Sequence, residues 1–312
     1  MNVRTFQPGD DAVQVSIYNE AAATLPKFKA ATLDELRRRT RGPDFDPSTR
    51  FYVLEQNRPV AYGTFQANGR LSYPWCRPGH EALAGPLLEH VVGEMKRRGL
   101  TRAFAAYRDD WPAQAEFFLR HGFRRAREMV NFVLELVDMP TPAARPSSSI
   151  GPLTPDELPA VLALCPGVLR VRTVEELRKH LFENPYFPAE SCVALRGKGS
   201  NAPVAVGVLV CNPSFGDPKQ VDSAMPCFRL GAFGTEGLTT KRLNGLFSFL
   251  TGDHREVNCM GLDLLGYAVL RLVDTDLGTL AAQVPSDAAH LLRFYQQYFR
   301  RQGSFPIFER SL

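Results

Sequence analysis

Paired metal or redox ligands are missing from this sequence. Its six cysteines and six histidines are scattered over 312 residues, without a C-x-x-C pair or the histidine spacing of a zinc site. We therefore expect neither a metal centre nor a thioredoxin-like redox site. Cysteines this far apart are typical of a reducing compartment, which predicts a cytoplasmic protein.

Long hydrophobic runs are also missing. The longest apolar stretch, residues 262–273, is interrupted by Asp263 and Arg271. The first residues, MNVRTFQPGDDAVQV, lack the apolar region of a signal peptide. We expect a soluble protein that is not exported and has no membrane partner.

The sequence also lacks the motifs of several enzyme classes. The chain contains no G-x-x-x-x-G-K-[ST], H-E-x-x-H or G-x-S-x-G motif, which argues against P-loop ATPases, zincins and α/β-hydrolases. The segment GKGSNA at residues 197–202 leads into a strand instead of opening a helix, so we interpret it as a hairpin turn. The net charge of +4 suits an anionic ligand but falls short of a dedicated nucleic-acid binder.

The length and composition predict two folded domains. Apolar residues make up 44% and charged residues 22% of the chain, which excludes a disordered or collagen-like protein. The 312 residues are about twice the usual domain length of about 100–200 residues. The boundary between the two domains is indicated by the segment DMPTPAARPSSSIG at 138–151, which is rich in Pro and Ser. We predict domains over residues 1–140 and 151–312, joined by a linker at 141–150.

Hydrophobic patterns predict similar element orders in the two halves. The first half follows β-α-α-β-β-β-α-β-α-β, and its clearest helix ends in basic residues before Gly99. The second half repeats this order, but its strand at Cys227–Phe233 is followed by two predicted helices, Thr240–Thr251 and about Val257–Val273. Hairpins mixed with a βαβ crossover predict an α/β (α+β layered) fold in each half.

An internal repeat supports a duplication. The segment FFLRHGFRR at 117–125 aligns with FYQQYFRR at 294–301 when one position is skipped at Gly122. Both segments cover a late helix and the start of the last strand of their half.

A strand–loop–helix unit over Leu71–Gly99 provides a place for an anionic ligand. The strand LSYPWC ends in RPGHEALAG, where Gly79 and Gly85 allow a close approach of the backbone. The helix that follows offers free N–H groups and the positive end of its dipole.

Here the chain resembles the GNAT N-acetyltransferase superfamily. In that family the fourth strand ends in a V-x-P-like segment, a loop [RQ]-x-x-G-x-[GA] follows, and a late helix ends in Y-x-x-x-G-F. The matching late segment here contains Gly122-Phe123. The resemblance covers both halves and implies two tandem GNAT-like domains, each with a mixed, mostly antiparallel twisted sheet flanked by helices.

The resemblance also implies acetyl-CoA, or another acyl-CoA, as cosubstrate, and no metal. In the family, backbone amides of the loop hold the pyrophosphate. The positions that match this loop in the first half are Arg77, Gly79, His80 and Gly85. Those in the second half, within GTEGLTTKRLNGLF, are Thr239, Thr240, Lys241, Arg242 and Asn244.

Catalytic candidates follow from the same resemblance. The family holds the thioester carbonyl on a strand N–H, and a tyrosine of the late helix often protonates the departing thiolate. That position is Phe118 in the first half and Tyr295 in the second, so Tyr295 is the candidate general acid. Candidate bases are Asp109 and Asp110 in the first half and Glu236 in the second. The second half is therefore the better candidate for the active one.

Three functions remain open at this stage. The first is an acyltransferase acting on an amine of a small-molecule or peptide-like acceptor. The second is a non-catalytic tandem protein that binds acyl-CoA or a partner. The third is an aminoacyl-tRNA-dependent transferase, for which the basic runs at 37–41 and 124–127 would contact RNA. The sequence leaves open the acceptor and whether the protein is a monomer or a homodimer.

Overall fold

Two compact units make up the protein. The computed structural model describes residues 1–28, 30–40, 45–140, 149–165, 167–168, 171, 173–183, 187, 189–197, 201–211, 243–252, 255–270 and 278–312. Unit 1 contains Met1–Glu128 together with Ser304–Leu312, and unit 2 contains Met129–Gly303. The chain thus leaves unit 1 once and returns to it for its last strand.

Unit 1 follows the predicted element order. Its elements are β1 (Asn2–Thr5), α1 (Asp10–Ala22), α2 (Leu33–Thr40), β2 (Arg50–Glu55), β3 (Arg58–Thr64), β4 (Trp75–Cys76), α3 (Ala84–Arg97), β5 (Arg102–Ala106), α4 (Pro112–Arg120), the start of β6 (Arg124–Glu135) and the end of β12 (Arg300–Ser311). Strands β1 to β4 form an antiparallel sheet in chain order.

Helix α3 confirms the clearest helical pattern of the sequence. Five residues of its predicted apolar stripe are buried: Leu87, Leu88, Val91, Val92 and Met95. The stripe packs on β3 at Gly63, where an added Cβ would lie 3.2 Å from Val91 Cγ2. A helix this close to the sheet buries the apolar stripe, which supplies most of its stability.

Unit 2 has a similar order of elements. They are the end of β6, then β7 (Ile150–Pro152), α5 (Leu158–Leu164), α6 (Val174–Phe182), β8 (Cys192–Arg196), β9 (Pro203–Cys211), β10 (Leu243–Thr251), α7 (Val257–Leu270), β11 (Thr279–Pro285) and α8 (Ala289–Tyr298). The strands lie in the order β6-β11-β10-β9-β8-β7, and every neighbouring pair is antiparallel except the parallel pair β10–β11. The predicted α/β layered class, with mixed and mostly antiparallel sheets, is confirmed.

The helix predicted over Thr240–Thr251 is wrong. Residues Leu243–Thr251 form strand β10, which pairs with β9 from Gly245 to Thr251. Leu246, Phe247, Phe249 and Leu250 are all buried. A strand buried on both faces is apolar at nearly every position, so its periodicity does not distinguish it from a buried helix. The strand predicted at Cys227–Phe233 lies outside the described residues.

The division into units differs from the predicted halves at both ends of unit 2. Residues 129–140 belong to unit 2, and residues 304–312 belong to unit 1, where Arg102–Ala106 pairs with Ile307–Ser311. Residues 141–148 of the predicted linker lie outside the described part of the chain. Composition marks where a chain is polar, whereas strand pairing is made by backbone groups that leave no such trace in the sequence.

One structural property bears on the expected location. Within the described residues, no helix combines the length and the apolar character needed to cross a bilayer.

Helix α7 packs tightly on α8, and a pair of glycine variants tests this contact. A Cβ on Gly261 would lie 2.6 Å from Phe294 Cε2, so Gly261→Ala should lower the free energy of unfolding by about 1–3 kcal/mol. The control is Gly93→Ala in α3, where nothing lies within 4 Å of the added methyl group. That variant should raise the free energy of unfolding by about 0.5–1 kcal/mol. Denaturant unfolding curves measure both, and equal shifts would contradict the close packing of α7 on α8.

Candidate active site

Two parallel strands of unit 2 separate halfway along their length. Strands β10 and β11 are in register only from Leu243↔Thr279 to Leu246↔Ala281. Beyond this point β10 continues to pair with β9, and β11 continues to pair with β6. The facing edges of the two strands therefore diverge and leave an opening with backbone polar groups along it.

Tyr295 lies at this opening. Helix α8 carries the tyrosine into the core, where it is 1% exposed and its ring stacks on Phe132 at a centroid distance of 5.7 Å. The N–H of Phe249, on the diverging part of β10, donates a hydrogen bond to the Tyr295 hydroxyl at 3.3 Å. The candidate acid therefore lies beside a strand N–H, the pair of groups that acyl transfer needs.

His290 secures the end of β10. Its Nε2 lies 3.0 Å from the carbonyl oxygen of Thr251 and 3.7 Å from Cys165 Sγ. The next residue, Gly252, is close to Leu164, since an added Cβ would lie 3.4 Å from the Leu164 oxygen. These contacts hold the end of β10, after which α7 begins at Val257.

Most of the second-half candidates lie outside the described residues. These are Glu236, Thr239, Thr240, Lys241 and Arg242. Asn244 is on strand β10, where the sequence predicted the start of a helix. Strand β10 ends at Thr251 and α7 begins at Val257, and the described residues between them are Gly252, Arg255 and Glu256. Residues 234–242 of the predicted loop lie outside the described residues.

Unit 1 has a corresponding separation of strands. Leu71 N–H donates to the Phe104 oxygen at 2.9 Å, and Phe104 N–H donates to the Gly69 oxygen at 2.9 Å. Two residues further on, the N–H of Tyr73 donates to the hydroxyl of Tyr107. Burial raises the pKa of Tyr107 to about 12, so its hydroxyl stays protonated. A side chain of unit 1 itself thus satisfies the strand N–H.

Aromatic rings fill the space around Tyr107. Phe118, which aligns with Tyr295, is fully buried and stacks on Tyr107 at a centroid distance of 5.9 Å. Trp111 also stacks on the Tyr107 ring, at a centroid distance of 6.2 Å. Because Phe118 has no hydroxyl, the corresponding position in unit 1 has no proton to donate.

The candidate phosphate loop of unit 1 is engaged by the protein's own groups. Arg77 binds the carboxylate of Glu20 and donates to Ser16 Oγ at 3.1 Å. The N–H of Gly79 donates to Glu81 Oε1 at 3.0 Å. The backbone N–H groups of Glu81 and Gly79 lower the pKa of the Glu81 carboxyl, so an anion already lies at this loop.

The other two loop candidates also face protein groups. His80 Nε2 lies 3.2 Å from Glu55 Oε2. Gly85 faces His121, where an added Cβ would lie 3.0 Å from Nε2. The Arg77 guanidinium and the Gly79 N–H, which could bind a pyrophosphate, are thus already bound to carboxylates of the protein.

The two candidate bases of unit 1 are hydrogen-bonded within the fold. Asp109 accepts from Ser304 Oγ at 2.9 Å. Asp110 accepts from Nε and Nη2 of Arg108, each at 2.7 Å, and the Arg108 guanidinium lowers the pKa of the Asp110 carboxyl. A lowered pKa makes Asp110 a weaker base. Among the described residues, no group of three or more His, Cys, Asp or Glu side chains is arranged to hold a metal ion.

Sequence reasoning missed several residues of these sites. Tyr107 and Glu81 complete the contacts of unit 1, and Phe249 supplies the strand N–H of unit 2. The available signal was position, since Tyr107 is the last residue of the buried strand predicted over Arg102–Tyr107 and Glu81 lies within the predicted loop. Every residue except proline has a backbone N–H, so the sequence does not indicate that the one of Phe249 lies at the site.

Solved structures resemble the whole chain. A GCN5-related N-acetyltransferase from Sphaerobacter thermophilus aligns with a TM-score of 0.66 at 14% identity, over 99% of this chain and 95% of that chain. A tandem GNAT protein from the clavulanic acid biosynthesis pathway aligns with a TM-score of 0.54 at 12% identity, over 99% and 98%. A GNAT-family acetyltransferase from Colwellia psychrerythraea aligns with a TM-score of 0.51 at 9% identity, over 100% of both chains.

These similarities establish the fold. The chain has the tandem GNAT fold over nearly its full length, as the sequence resemblance implied. No protein-family model matches the sequence, and no curated protein sequence matches it. At this level of identity the similarity identifies the architecture, and the chemistry must be argued from the site itself.

The hydrogen bond between Tyr73 and Tyr107 is tested by removing one hydroxyl. Tyr107→Phe leaves the Tyr73 N–H without its acceptor and should lower the free energy of unfolding of unit 1 by about 1–3 kcal/mol. Tyr73→Phe is the matched control, because it removes a neighbouring tyrosine hydroxyl and keeps this hydrogen bond. Amide hydrogen exchange at Tyr73 should accelerate in the first variant only. Unchanged exchange in Tyr107→Phe would contradict the assignment.

The ion pair of Asp110 with Arg108 makes unit 1 sensitive to acid. The pKa of Asp110 is lower in the folded than in the unfolded protein, so folding is favoured above the ordinary value of 3.8 and this contribution is lost as the pH falls through the folded value. At pH 7, Asp110→Asn should cost about 1–3 kcal/mol. The difference from the wild type should shrink as the pH falls below 3.8. A difference that is constant from pH 7 to pH 2 would exclude this origin, and denaturant titrations across that range measure it.

Proposed function

We propose that the protein is an acyltransferase that moves an acetyl or other acyl group from acyl-CoA to an amine of a small-molecule or peptide-like acceptor. We further propose that unit 2 carries the reaction. One observation supports this assignment above all: the Tyr295 hydroxyl and the Phe249 N–H lie together at the opening between β10 and β11.

The tandem GNAT fold supports the reaction class. The three structures described above are named as acetyltransferases or as GNAT proteins. Their names describe those proteins, and for this chain they favour acyl transfer over unrelated chemistries. The cysteine and histidine spacing of the sequence supports a metal-free reaction in the cytoplasm, which remains part of the proposal.

The groups at the opening fit the steps of acyl transfer. A neutral amine attacks the thioester carbonyl, a C–N bond forms, and negative charge develops on the carbonyl oxygen. The Phe249 N–H is a fixed donor for that oxygen once the carbonyl replaces the Tyr295 hydroxyl as its acceptor. The C–S bond then breaks, and Tyr295 donates a proton to the departing thiolate. The products are an amide and the CoA thiol.

The proton released by the amine needs an acceptor. Among the sequence candidates, Asp109 and Asp110 belong to unit 1 and are hydrogen-bonded there. Glu236 is the candidate in unit 2, and it lies outside the described residues. We retain Glu236 as the proposed base, with water as the route when no carboxylate is in reach.

Unit 1 takes a supporting part in this proposal. Its strand N–H is satisfied by Tyr107, its late helix carries Phe118, and its loop N–H at Gly79 is bound by Glu81. Arg77, Gly79, His80 and Gly85 would then stabilise the fold of unit 1 without holding a pyrophosphate. The proposal therefore assigns one acyl-CoA site to each chain, and it leaves unit 1 as the non-catalytic member of the pair.

Turnover and binding stoichiometry test the assignment together. Tyr295→Phe should lower kcat for CoA-thiol release from acetyl-CoA, with a panel of amines, by roughly 10²-fold. Tyr298→Phe, on the same helix, is the matched control and should keep kcat within about twofold, because the Tyr298 ring packs on Phe294 and the variant keeps that ring. Calorimetric titration with acetyl-CoA should give one site per chain.

Two results would contradict the proposal. If the wild type releases no CoA thiol with any amine yet binds acetyl-CoA, the chain is a non-catalytic acyl-CoA binder. If Tyr295→Phe and Tyr298→Phe lower kcat equally, the reaction does not depend on the opening of unit 2. Salt-sensitive tRNA binding without acetyl-CoA binding would favour the aminoacyl-tRNA-dependent alternative.

A further inference from the structure

Two amide side chains face each other on neighbouring strands of unit 2. Asn131 of β6 and Gln283 of β11 are direct partners in the antiparallel register. Gln283 Nε2 donates a hydrogen bond to Asn131 Oδ1 at 2.7 Å. Their chain neighbours Phe132 and Ala282 belong to the hydrophobic core, so the amide pair lies on the opposite face of these strands.

The amide of Asn131 is incompletely satisfied. Asn131 is 0% exposed, and its Nδ2 has no hydrogen-bond partner among the described residues. Buried amide groups are nearly always hydrogen-bonded, so an unmet donor of this kind indicates a position that a ligand or a bound water fills. The bond from Gln283 fixes the orientation of the Asn131 amide, because it requires Oδ1 to face Gln283.

Gln283 of the amide pair lies on β11, the strand that borders the proposed reaction site, and Asn131 lies on the next strand, β6. Gln283 lies beyond Ala281, in the part of β11 that has separated from β10. Tyr295 reaches the same opening from the core face, where it stacks on Phe132. Because core side chains fill that face, an acceptor reaches the opening from the face of Gln283, which is half-buried.

We propose that Asn131 and Gln283 form the acceptor subsite of unit 2, and that this subsite selects amines with a hydrogen-bond acceptor close to the reacting nitrogen. The Asn131 Nδ2 donates to a carbonyl, carboxylate or hydroxyl oxygen of the acceptor, and Gln283 holds the Asn131 amide in the required orientation. Plain alkyl amines leave this donor unmet and are poorer acceptors. This inference rests on the proposed acyl transfer in unit 2 and adds a class of substrate to it.

A pair of similar amines tests the subsite. Glycinamide carries a carbonyl next to its amine, and propylamine does not. We expect Asn131→Asp to lower the ratio of kcat/KM for glycinamide to that for propylamine about tenfold or more, because a carboxylate oxygen replaces the N–H donor. The intrinsic reactivity of the two amines cancels, since each ratio is compared with that of the wild type.

A second variant covers the case in which Asn131→Asp fails to fold. Gln283→Met keeps the size of a half-buried side chain and removes the bond to Asn131. It should raise the KM for glycinamide and leave the KM for acetyl-CoA within about twofold. The matched control is Gln297→Glu, which alters an exposed amide pair of the same unit, Asn258 Nδ2 to Gln297 Oε1 at 2.6 Å. Gln297→Glu should keep the wild-type ratio of kcat/KM for glycinamide to kcat/KM for propylamine.

Binding without turnover separates this inference from the proposed function. Saturation-transfer NMR of glycinamide should give a signal with the wild type that is lost in Asn131→Asp and kept in Gln297→Glu. That result supports the subsite even if no CoA thiol is released. Folded variants with the wild-type ratio, or an equal NMR signal with and without the Asn131 amide, would overturn it.

Discussion

The hydrogen bond from the Phe249 N–H to the Tyr295 hydroxyl satisfies a backbone donor that the divergence of β10 and β11 withdraws from the strand ladder. A buried N–H without a partner is costly, so the strands can separate only if another group accepts this bond. Helix α8 meets the requirement by burying a tyrosine whose ring packs on Phe132. The same helix packs closely on α7 through Phe294 at Gly261, so the residues that bring Tyr295 to the opening are fixed by the core.

Unit 1 meets the same requirement with a different residue. There the acceptor is Tyr107, directly after β5, whereas the late helix supplies Phe118. A tyrosine wedged between diverging strands by its neighbours Phe118 and Trp111 can act as a permanent structural member. In the proposed function, the Phe249 N–H exchanges the Tyr295 hydroxyl for a substrate oxygen as its acceptor. The two units thus share an architecture and differ in the residue that accepts the strand N–H.

Local signals predicted much of the fold, and they failed where pairing or burial decided the outcome. The stripe of α3 was readable because one face is apolar and the other polar, but β10 is apolar on both faces and was read as a helix. Alignment of the two late segments singled out Phe118 and Tyr295, which lie on α4 and α8 in the structure. The Asn131–Gln283 pair could not be foreseen, because residues 152 positions apart meet only through the register of β6 and β11.

The return of residues 304–312 to unit 1 sets an order on the making of this protein. During synthesis, residues 129–303 are all made before the strand segment that pairs with β5. Unit 2 is therefore complete in sequence while unit 1 still exposes an edge strand and the space for Phe308, which is 2% exposed in the finished fold. Unpaired edges of this kind are prone to association with other chains. Unit 1 is therefore begun before unit 2 and completed after it, and the edge of β5 stays unpaired until residues 307–311 have been made.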